Sequence, residues 1–251
     1  MERAEEAIPG SHPLIHQFRA SLLLGRLDFS GAMQELRRAY EMRAPRGDGL
    51  QVAEVLLQMG RVQEYLNQPE EAVMLIEKAV DLLIKCGGEG KELLLVALQN
   101  LGDCLISAGQ LGKARALLDA IEEPFVATGQ MSALRFTWLR GRLARCSGLD
   151  EEACSYYKAA QAGYRKLDLQ QEVALVSLDL ALQHHQYGRY ATCVREALKV
   201  RPILHSLGLE QDAQVADLLA QIATRSGDLE RALLTLATII FSSRQKRPAS
   251  A

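Results

Sequence analysis

Small residues recur at two matched points in every stretch of about 40 residues, and within each stretch they stand twelve positions apart. Six such pairs can be placed: Ala20 with Ala32, Gly60 with Ala72, Gly102 with Ala114, Gly141 with Ala153, Ala181 with Cys193, and Ala220 with Ala232. Successive pairs are offset by 40, 42, 39, 40 and 39 residues. A regular period of this length is typical of chains built from stacked helical repeats.

A turn-forming residue stands five positions before the second small residue in most of these stretches. The residues at this place are Asn67, Gly109, Gly148, Gly188 and Gly227, with Leu27 in the first stretch. Glycine and asparagine readily adopt the left-handed conformation that ends a helix. Segments such as "NQPEEA" and "SGDLERA" follow with residues that cap a new helix. No segment alternates apolar and polar residues as a strand would, so each stretch is predicted to be two antiparallel helices, about twelve in all.

The small residues have a mechanical role in this interpretation. Where two helices cross closely, a side chain larger than alanine pushes the helix axes apart. Leucine in place of Ala114 or Ala153 is therefore expected to overpack the crossing.

The pattern resembles the tetratricopeptide repeat, whose signature has small residues at its eighth and twentieth positions and a glycine near the fifteenth. The match runs over residues 14–241, with a period near 40 rather than the usual 34. Repeats of similar length occur in the sensor domains of some bacterial transcription activators. The family's tryptophan and tyrosine positions are mostly aliphatic here. The resemblance implies an all-α, right-handed α-solenoid of about six helix-turn-helix repeats.

The predicted organisation is a single superhelical domain over residues 13–242, after a flexible segment 1–12 and before a basic, disordered tail 243–251. The repeats are expected at residues 13–45, 50–87, 91–128, 131–168, 171–207 and 210–242.

A cationic and aromatic stripe stands out in the segment "RFTWLRGRLARCSG", residues 135–148. On a helix, Arg135, Trp138, Arg142 and Arg145 share one face, where they could hold an anionic peptide or a phosphate. The alternative is solvated arginines beside a packed tryptophan. In the family, the first helix of each pair lines the concave surface, which implies that this stripe faces the groove. The same register implies further lining residues: Gln17, Ser21, Glu54, Arg61, Asn100, Asp103, Asp179, His185, Asp217 and Gln221.

No pattern in the sequence predicts a catalytic residue, a cofactor or a metal site. The segment "CGGEGKE" lacks the spacing and the hydroxyl residue of a phosphate loop. His12 and His16 are four apart but have no partner acid or cysteine nearby. The five cysteines form no CxxC pair, and no GxSxG or HExxH motif occurs.

The C-terminal segment "LERALLTLATIIF", residues 229–241, is apolar on nearly every side. One interpretation is an interface for a homodimer or a partner, centred on Leu233, Leu236, Ile240 and Phe241. The alternative is that this helix packs inward.

The predicted function is that of a protein–protein interaction module, a scaffold, adaptor or regulatory subunit without catalysis, that binds a peptide or protein segment in its concave groove. One alternative is a regulatory module that senses a small anionic molecule, and another is an enzyme with a site assembled from distant residues, for which His184 and His185 are the positions to test. A nucleic-acid ligand is disfavoured because the chain has 29 basic residues and 31 acidic ones, so its net charge is slightly negative. A start without a secretion signal and apolar runs too short to span a bilayer favour a cytoplasmic protein with no membrane partner. The resemblance to repeats of bacterial sensor domains implies a bacterial protein.

Overall fold

Antiparallel helices make up nearly all of the chain that the structure, a computed structural model, describes, namely residues 12–245. Side chains are described for all of these except Gln211 and residues 231–245. The chain divides into two compact units, residues 1–128 and 129–251. Within the described residues there are eleven α-helices, two short 3-10 turns and no strand, which confirms the predicted all-α class of paired helices.

The first unit contains three helix pairs. Its helices are α1 (Pro13–Gly25), α2 (Phe29–Arg43), α3 (Gly49–Tyr65), α4 (Pro69–Cys86), α5 (Lys91–Ser107) and α6 (Leu111–Ala127). The second unit contains two pairs and one long helix. Its helices are α7 (Gln130–Cys146), α8 (Asp150–Lys166), α9 (Gln170–Gln186), α10 (Tyr190–Ser206) and α11 (Glu210–Gln245).

Polar residues or a proline begin several helices, whereas the helix start predicted in "SGDLERA" is wrong because α11 runs through it. The Asp28 carboxylate accepts the backbone N–H of Gly31 at 2.8 Å at the start of α2. Asp48 accepts the N–H of Gln51 at 3.1 Å at the start of α3. Pro69 is the first residue of α4, where its missing N–H leaves no hydrogen bond unmade.

The turns inside the first five pairs form at the predicted residues. Leu27, Asn67, Gly109, Gly148 and Gly188 have φ angles of 63°, 57°, 69°, 77° and 70°. In each case the chain leaves the first helix through a left-handed residue and enters the second helix two residues later. These positions are confirmed, including the first, where leucine occupies a conformation that glycine adopts more easily.

Replacing Leu27 with glycine is expected to raise the free energy of unfolding of the first unit by about 1 kcal/mol, because a β-carbon is strained at positive φ. Leu27 is 50% exposed, so little apolar burial is lost. The matched control is Leu22→Gly, because Leu22 is 52% exposed inside α1 and its replacement should destabilise by about 1 kcal/mol. Urea denaturation measures both, and a destabilised Leu27→Gly variant would contradict the prediction.

The matched small residues are buried wherever the structure describes their side chains, which excludes Ala232. Among them, Ala32, Ala72, Ala114, Ala153, Ala181 and Cys193 are completely buried. A β-carbon on Gly60 would stand 2.7 Å from Cγ1 of Ile76, and one on Gly141 would stand 2.8 Å from ring carbons of Tyr157. The helices of these pairs can approach closely only because the side chain is missing.

The sixth pair differs from the prediction. A turn was expected at Gly227, but α11 continues through it as one helix from Glu210 to Gln245. The other predicted turn glycines have positive φ, whereas Gly227 does not. Helical backbone at Gly227 costs about 1 kcal/mol relative to alanine, and the hydrogen bonds of an unbroken helix offset that cost. A groove of about 350 Å³ lies between α10 and α11 and is lined by Val194, Leu198 and Ala220, among others.

Each unit has its own core, built from the small residues and the aliphatic residues around them. In the first unit, Ala20, Ala32, Leu36, Val55 and Val62 form one cluster. In the second unit, Ala153, Tyr157, Ala160, Tyr164 and Val176 form another. No helix within residues 12–245 combines the length and hydropathy needed to cross a membrane.

Candidate functional site

The cationic and aromatic stripe of α7 lies beside α9 in the second unit. The indole N–H of Trp138 donates a hydrogen bond to Oδ2 of Asp179 at 2.6 Å. The two residues are 41 positions apart, so they occupy nearly equivalent places in consecutive first helices. Arg135 is exposed, while Trp138, Arg142 and Arg145 are half-buried. We call these four residues together with Asp179 the arginine–tryptophan surface.

Two buried tyrosines of α8 support this surface from below. The ring of Trp138 meets that of Tyr164 edge to face, with centroids 6.3 Å apart. The Tyr157 hydroxyl accepts a hydrogen bond from Nε of Arg145 at 3.2 Å. Both tyrosines are fully buried, so their positions are set by packing. Trp138 and Arg145 therefore each have one fixed anchor within the chain.

The surroundings raise the pKa of Arg145 and of the two tyrosines. Burial disfavours the charge on Arg145, but the Tyr157 hydroxyl and the Asp179 carboxylate raise its pKa above the usual value. Burial raises the pKa of Tyr164 to about 12 and also raises the pKa of Tyr157. The surface thus combines the guanidinium groups of Arg135, Arg142 and Arg145 with the carboxylate of Asp179 beside an aromatic ring.

Arg140 points away from this surface, as the helical spacing predicts. Its guanidinium lies over the ring of Phe136 at 5.1 Å from the centroid. The sequence-based alternative, solvated arginines beside a packed tryptophan, describes part of the arrangement, because Trp138 packs against the core cluster of the second unit.

The predicted lining residues of the first unit differ in exposure. Arg61, Ser21 and Glu54 are exposed, and Asn100 and Asp103 are half-buried. Gln17 is buried, and its side-chain amide donates to Oε1 of Gln58 at 3.1 Å. These residues belong to a different unit from the arginine–tryptophan surface, and their role in binding stays a prediction.

The remaining predicted residues lie in the second unit. His185 packs edge to face on Tyr190, with ring centroids 5.5 Å apart. Asp217 accepts a hydrogen bond from Nη1 of Arg201 at 2.9 Å, and Gln221 is exposed. The side chains of the predicted C-terminal interface fall outside the described residues: Leu233, Leu236, Ile240 and Phe241. That interface stays a prediction.

A buried side-chain contact in the first unit engages one of the histidines that sequence inspection considered for a metal. Nδ1 of His16 lies 2.7 Å from Oε2 of Glu35, and Arg38 donates to the other carboxylate oxygen at 2.6 Å. His12 instead caps α1, where its ring nitrogen accepts the N–H of Leu14. Within residues 12–245, no three His, Cys, Asp or Glu side chains are grouped in a way that could hold a metal.

Sequence inspection missed a polar network that joins three helices of the second unit. Asp150, at the start of α8, accepts hydrogen bonds from both terminal nitrogens of Arg189 and from Nε2 of Gln183. Hydrogen bonds from Arg189 are the main reason that the pKa of Asp150 falls to about 2. Asp150 and Arg189 are 39 residues apart, about one repeat period, and this spacing is the signal that could have found the pair.

Residues 51–121 match the family model described as tetratricopeptide repeat. Over this segment the chain is similar to tetratricopeptide-repeat proteins. The matched residues run from within α3 to within α6, in the first unit. Those helix pairs have the same turn residues and small-residue crossings as the pairs of the second unit, so the repeat prediction is confirmed. A search of curated proteins finds no sequence match.

Solved structures of similar fold include two Rap proteins and a kinesin light chain-like repeat protein. A Rap protein complexed with competence and sporulation factor has a TM-score of 0.74 at 19% identity, over 96% of this chain and 67% of that one. The Rap conjugation gene regulator of plasmid pLS20, in complex with the Phr* peptide, has a TM-score of 0.72 at 16% identity, over 90% and 64%. A kinesin light chain-like repeat protein from Podosopora anserina has a TM-score of 0.59 at 18% identity, over 81% and 99%. This chain spans about two thirds of the length of the two Rap proteins.

Proposed function

We propose that this chain is a non-catalytic binding module that holds a peptide or an extended protein segment against the arginine–tryptophan surface. The bound segment carries acidic residues that face Arg135, Arg142 and Arg145, and a side chain that packs on the indole of Trp138. The module then acts as a scaffold, an adaptor or a regulatory subunit inside the cell.

The observation that carries this proposal is the hydrogen bond between Trp138 and Asp179. A half-buried indole whose N–H is already satisfied keeps one orientation, so a ligand that packs on it loses little additional side-chain entropy. The Arg145 side chain is held in the same way by Tyr157. Anchored tryptophan and arginine side chains are the residue types that dominate binding energy at protein interfaces.

The charge of the surface indicates an acidic ligand. Guanidinium groups form paired hydrogen bonds with carboxylates, and each such charge-assisted bond is stronger than a neutral one. Asp179 is already engaged with Trp138, so it holds the indole in place. The chain as a whole has a net charge of -2, and attraction of an acidic segment is therefore local to this surface.

The comparisons support a peptide-binding role for this fold. Two Rap proteins of similar fold are named as complexes, one with competence and sporulation factor and one with the Phr* peptide. At 19% and 16% identity the resemblance concerns the fold, so the residues that bind in this chain are argued from its own surface.

The test compares partner capture by the wild type and by a variant with Arg135→Ala, Arg142→Ala and Arg145→Ala. Partners are captured on the full chain from cell lysate, and the segment bound is then made as a synthetic peptide. Loss of three charge-assisted contacts should weaken its binding by about 100-fold or more. Trp138 is the only tryptophan of the 251 residues, so its fluorescence reports directly on occupation of the surface.

The control is a variant that removes three exposed cations elsewhere, Arg26→Ala, Lys78→Ala and Lys166→Ala. It lowers the net charge by the same amount and should bind the peptide within about twofold of the wild type, because none of these residues belongs to the surface. Equal recovery of every partner by the wild type and the Arg135, Arg142 and Arg145 variant, with both proteins folded, would reject the proposed surface.

A further inference from the structure

A cavity of about 600 Å³ lies between α8 and α10, with α9 as its floor. It belongs entirely to the second unit. Its volume falls within the range of sites that bind small organic molecules.

The rim of the cavity is strongly cationic. Lys158 and Arg165 line it from α8, and Arg195 and Lys199 line it from α10. The members of each pair are seven and four residues apart, so they project from the same side of their helix. Glu196 is the one acidic residue among those that line the cavity. Among the described residues, no carboxylate forms a salt bridge with any of the four cations.

The floor contains a buried histidine with an unmet hydrogen-bonding atom. His184 is 9% exposed and lines the cavity, and its Nδ1 has no hydrogen-bond partner. Burial lowers the pKa of His184, and the nearby charge of Arg189 lowers it further, against the opposing effect of Glu196. A buried polar atom without a partner costs roughly 1 to 3 kcal/mol, a cost that a polar ligand would remove.

The remaining walls are apolar. Val173 and Leu180 of α9 and Val200 of α10 line the cavity below its cationic rim. The chemistry thus changes from charged at the mouth to apolar inside. A ligand that matches this arrangement has an anionic group and a less polar body.

We propose that this cavity is a binding site for a small organic phosphate. The phosphate lies among the four cationic side chains of the rim, and the body of the molecule contacts the apolar wall and the ring of His184. Four converging cations repel one another when the site is empty, and a dianionic phosphate replaces that repulsion with charge-assisted hydrogen bonds.

This site is separate from the proposed peptide surface. The cavity uses Val173, Ser177, Leu180 and His184, which recur at intervals of four, three and four along α9 and share one face. Asp179 lies on another face of the same helix, about 130° away. A phosphate ligand and a peptide can therefore bind at the same time.

The test is isothermal titration calorimetry of the full chain with pyrophosphate and with ADP at about 0.1 M salt. At least one probe should bind the wild type with a Kd of 1 mM or tighter. Replacing Lys158 and Lys199 with alanine should weaken that binding by about tenfold or more, because each contact is charge-assisted.

The matched control, Lys166→Ala with Arg225→Ala, removes two exposed cations of the same unit and should bind within about twofold of the wild type. Failure of both probes to bind at 1 mM, or equal binding by the Lys158 and Lys199 variant, would overturn the proposal.

A second readout places the ligand at the floor. In protein labelled at histidine, the imidazole resonances of His184, assigned with a His184→Gln variant, should shift on addition of the probe. Those of His205, which is exposed and pairs with Glu210, should not shift. Binding that leaves the His184 resonances unchanged would show that the phosphate does not enter the cavity. Trp138 fluorescence stays constant in this titration, so the phosphate site and the peptide surface are tested independently.

Discussion

Replacing Gly141 with leucine is expected to lower the free energy of unfolding of the second unit by about 3 kcal/mol. A β-carbon at this position would lie 2.8 Å from two ring carbons of Tyr157 and 3.2 Å from Cβ of Tyr156. The Tyr157 ring cannot move aside, because it is fully buried and its hydroxyl is hydrogen-bonded to Arg145. The added side chain must separate α7 from α8. Gly141→Ala should show a smaller loss, about 1 to 2 kcal/mol, for the same reason.

Thermal and urea denaturation followed by circular dichroism measure these losses. The control is Gly112→Ala, because a β-carbon on Gly112 in α6 meets no other atom within 4 Å. That change should stabilise slightly, since alanine favours a helix more than glycine does. If Gly141→Ala were as stable as the wild type, close approach of α7 and α8 would not depend on the missing side chain. Trp138 fluorescence should also change in Gly141→Leu, because a shift of α7 moves the indole away from Asp179.

Replacing Asp150 with alanine is expected to cost about 2 to 3 kcal/mol, the second large effect on stability. Asp150 accepts a hydrogen bond from Nη1 of Arg189 at 2.6 Å and one from Nε2 of Gln183 at 2.8 Å. Gln183 is completely buried, so its amide would lose its partner without access to water. The Arg189 guanidinium would keep its charge without a counter-ion. The matched control is Glu151→Ala, which removes an exposed acid from the same first turn of α8 and should cost less than about 1 kcal/mol.

The lowered pKa of Asp150 also predicts how the stability of the second unit depends on pH. The hydrogen bonds from Arg189 lower the pKa of Asp150 from 3.8 to about 2 in the folded chain, although burial partly opposes them. The folded state therefore holds this proton less tightly than the unfolded state. The stabilisation is fully present above about pH 4 and is lost as the pH falls towards 2. Because about a fifth of the Asp150 side chain is exposed, solvent screening limits the effect to about 1 to 2 kcal/mol.

Urea midpoints of the wild type and Asp150→Asn at pH 6, 4 and 2 test this expectation. The difference between the two proteins should be nearly constant from pH 6 to pH 4 and should shrink at pH 2. A difference that persists unchanged at pH 2 would mean that the carboxylate charge does not supply the stabilisation.

Local signals in the sequence predicted the turns of the first five pairs well. Four of these turns have glycine or asparagine. These residue types indicate directly that the backbone needs a positive φ angle there, because few other residues reach positive φ without strain. Leu27 shows that the repeat spacing carries information beyond residue type, since it takes the same conformation at the same place. Gly227 has the right type and the right spacing, yet it lies inside α11. Glycine permits a turn but does not impose one, and the packing of the segment that follows decides between turn and helix.

The arginine–tryptophan surface was predictable only in part. Helical spacing placed Arg135, Trp138, Arg142 and Arg145 on one face and separated Arg140 from them. Spacing within one helix could not say that Asp179 accepts the indole N–H, or that Tyr157 holds Arg145. The cationic cavity was missed because its four cations belong to two helices, and within each helix they look like ordinary solvated charges.

By itself, the sequence determined that the chain forms paired helices, where most of them begin and end, and which positions must be small. These properties depend on local backbone preferences and on side-chain volume, and both are functions of residue type. Only the tertiary structure decided that α11 is continuous, that Trp138 contacts Asp179, and that the cations of α8 and α10 face each other across His184. Those relations depend on how helices distant in the chain pack together, and many pairings of exposed polar residues fit the same pattern of small and apolar positions.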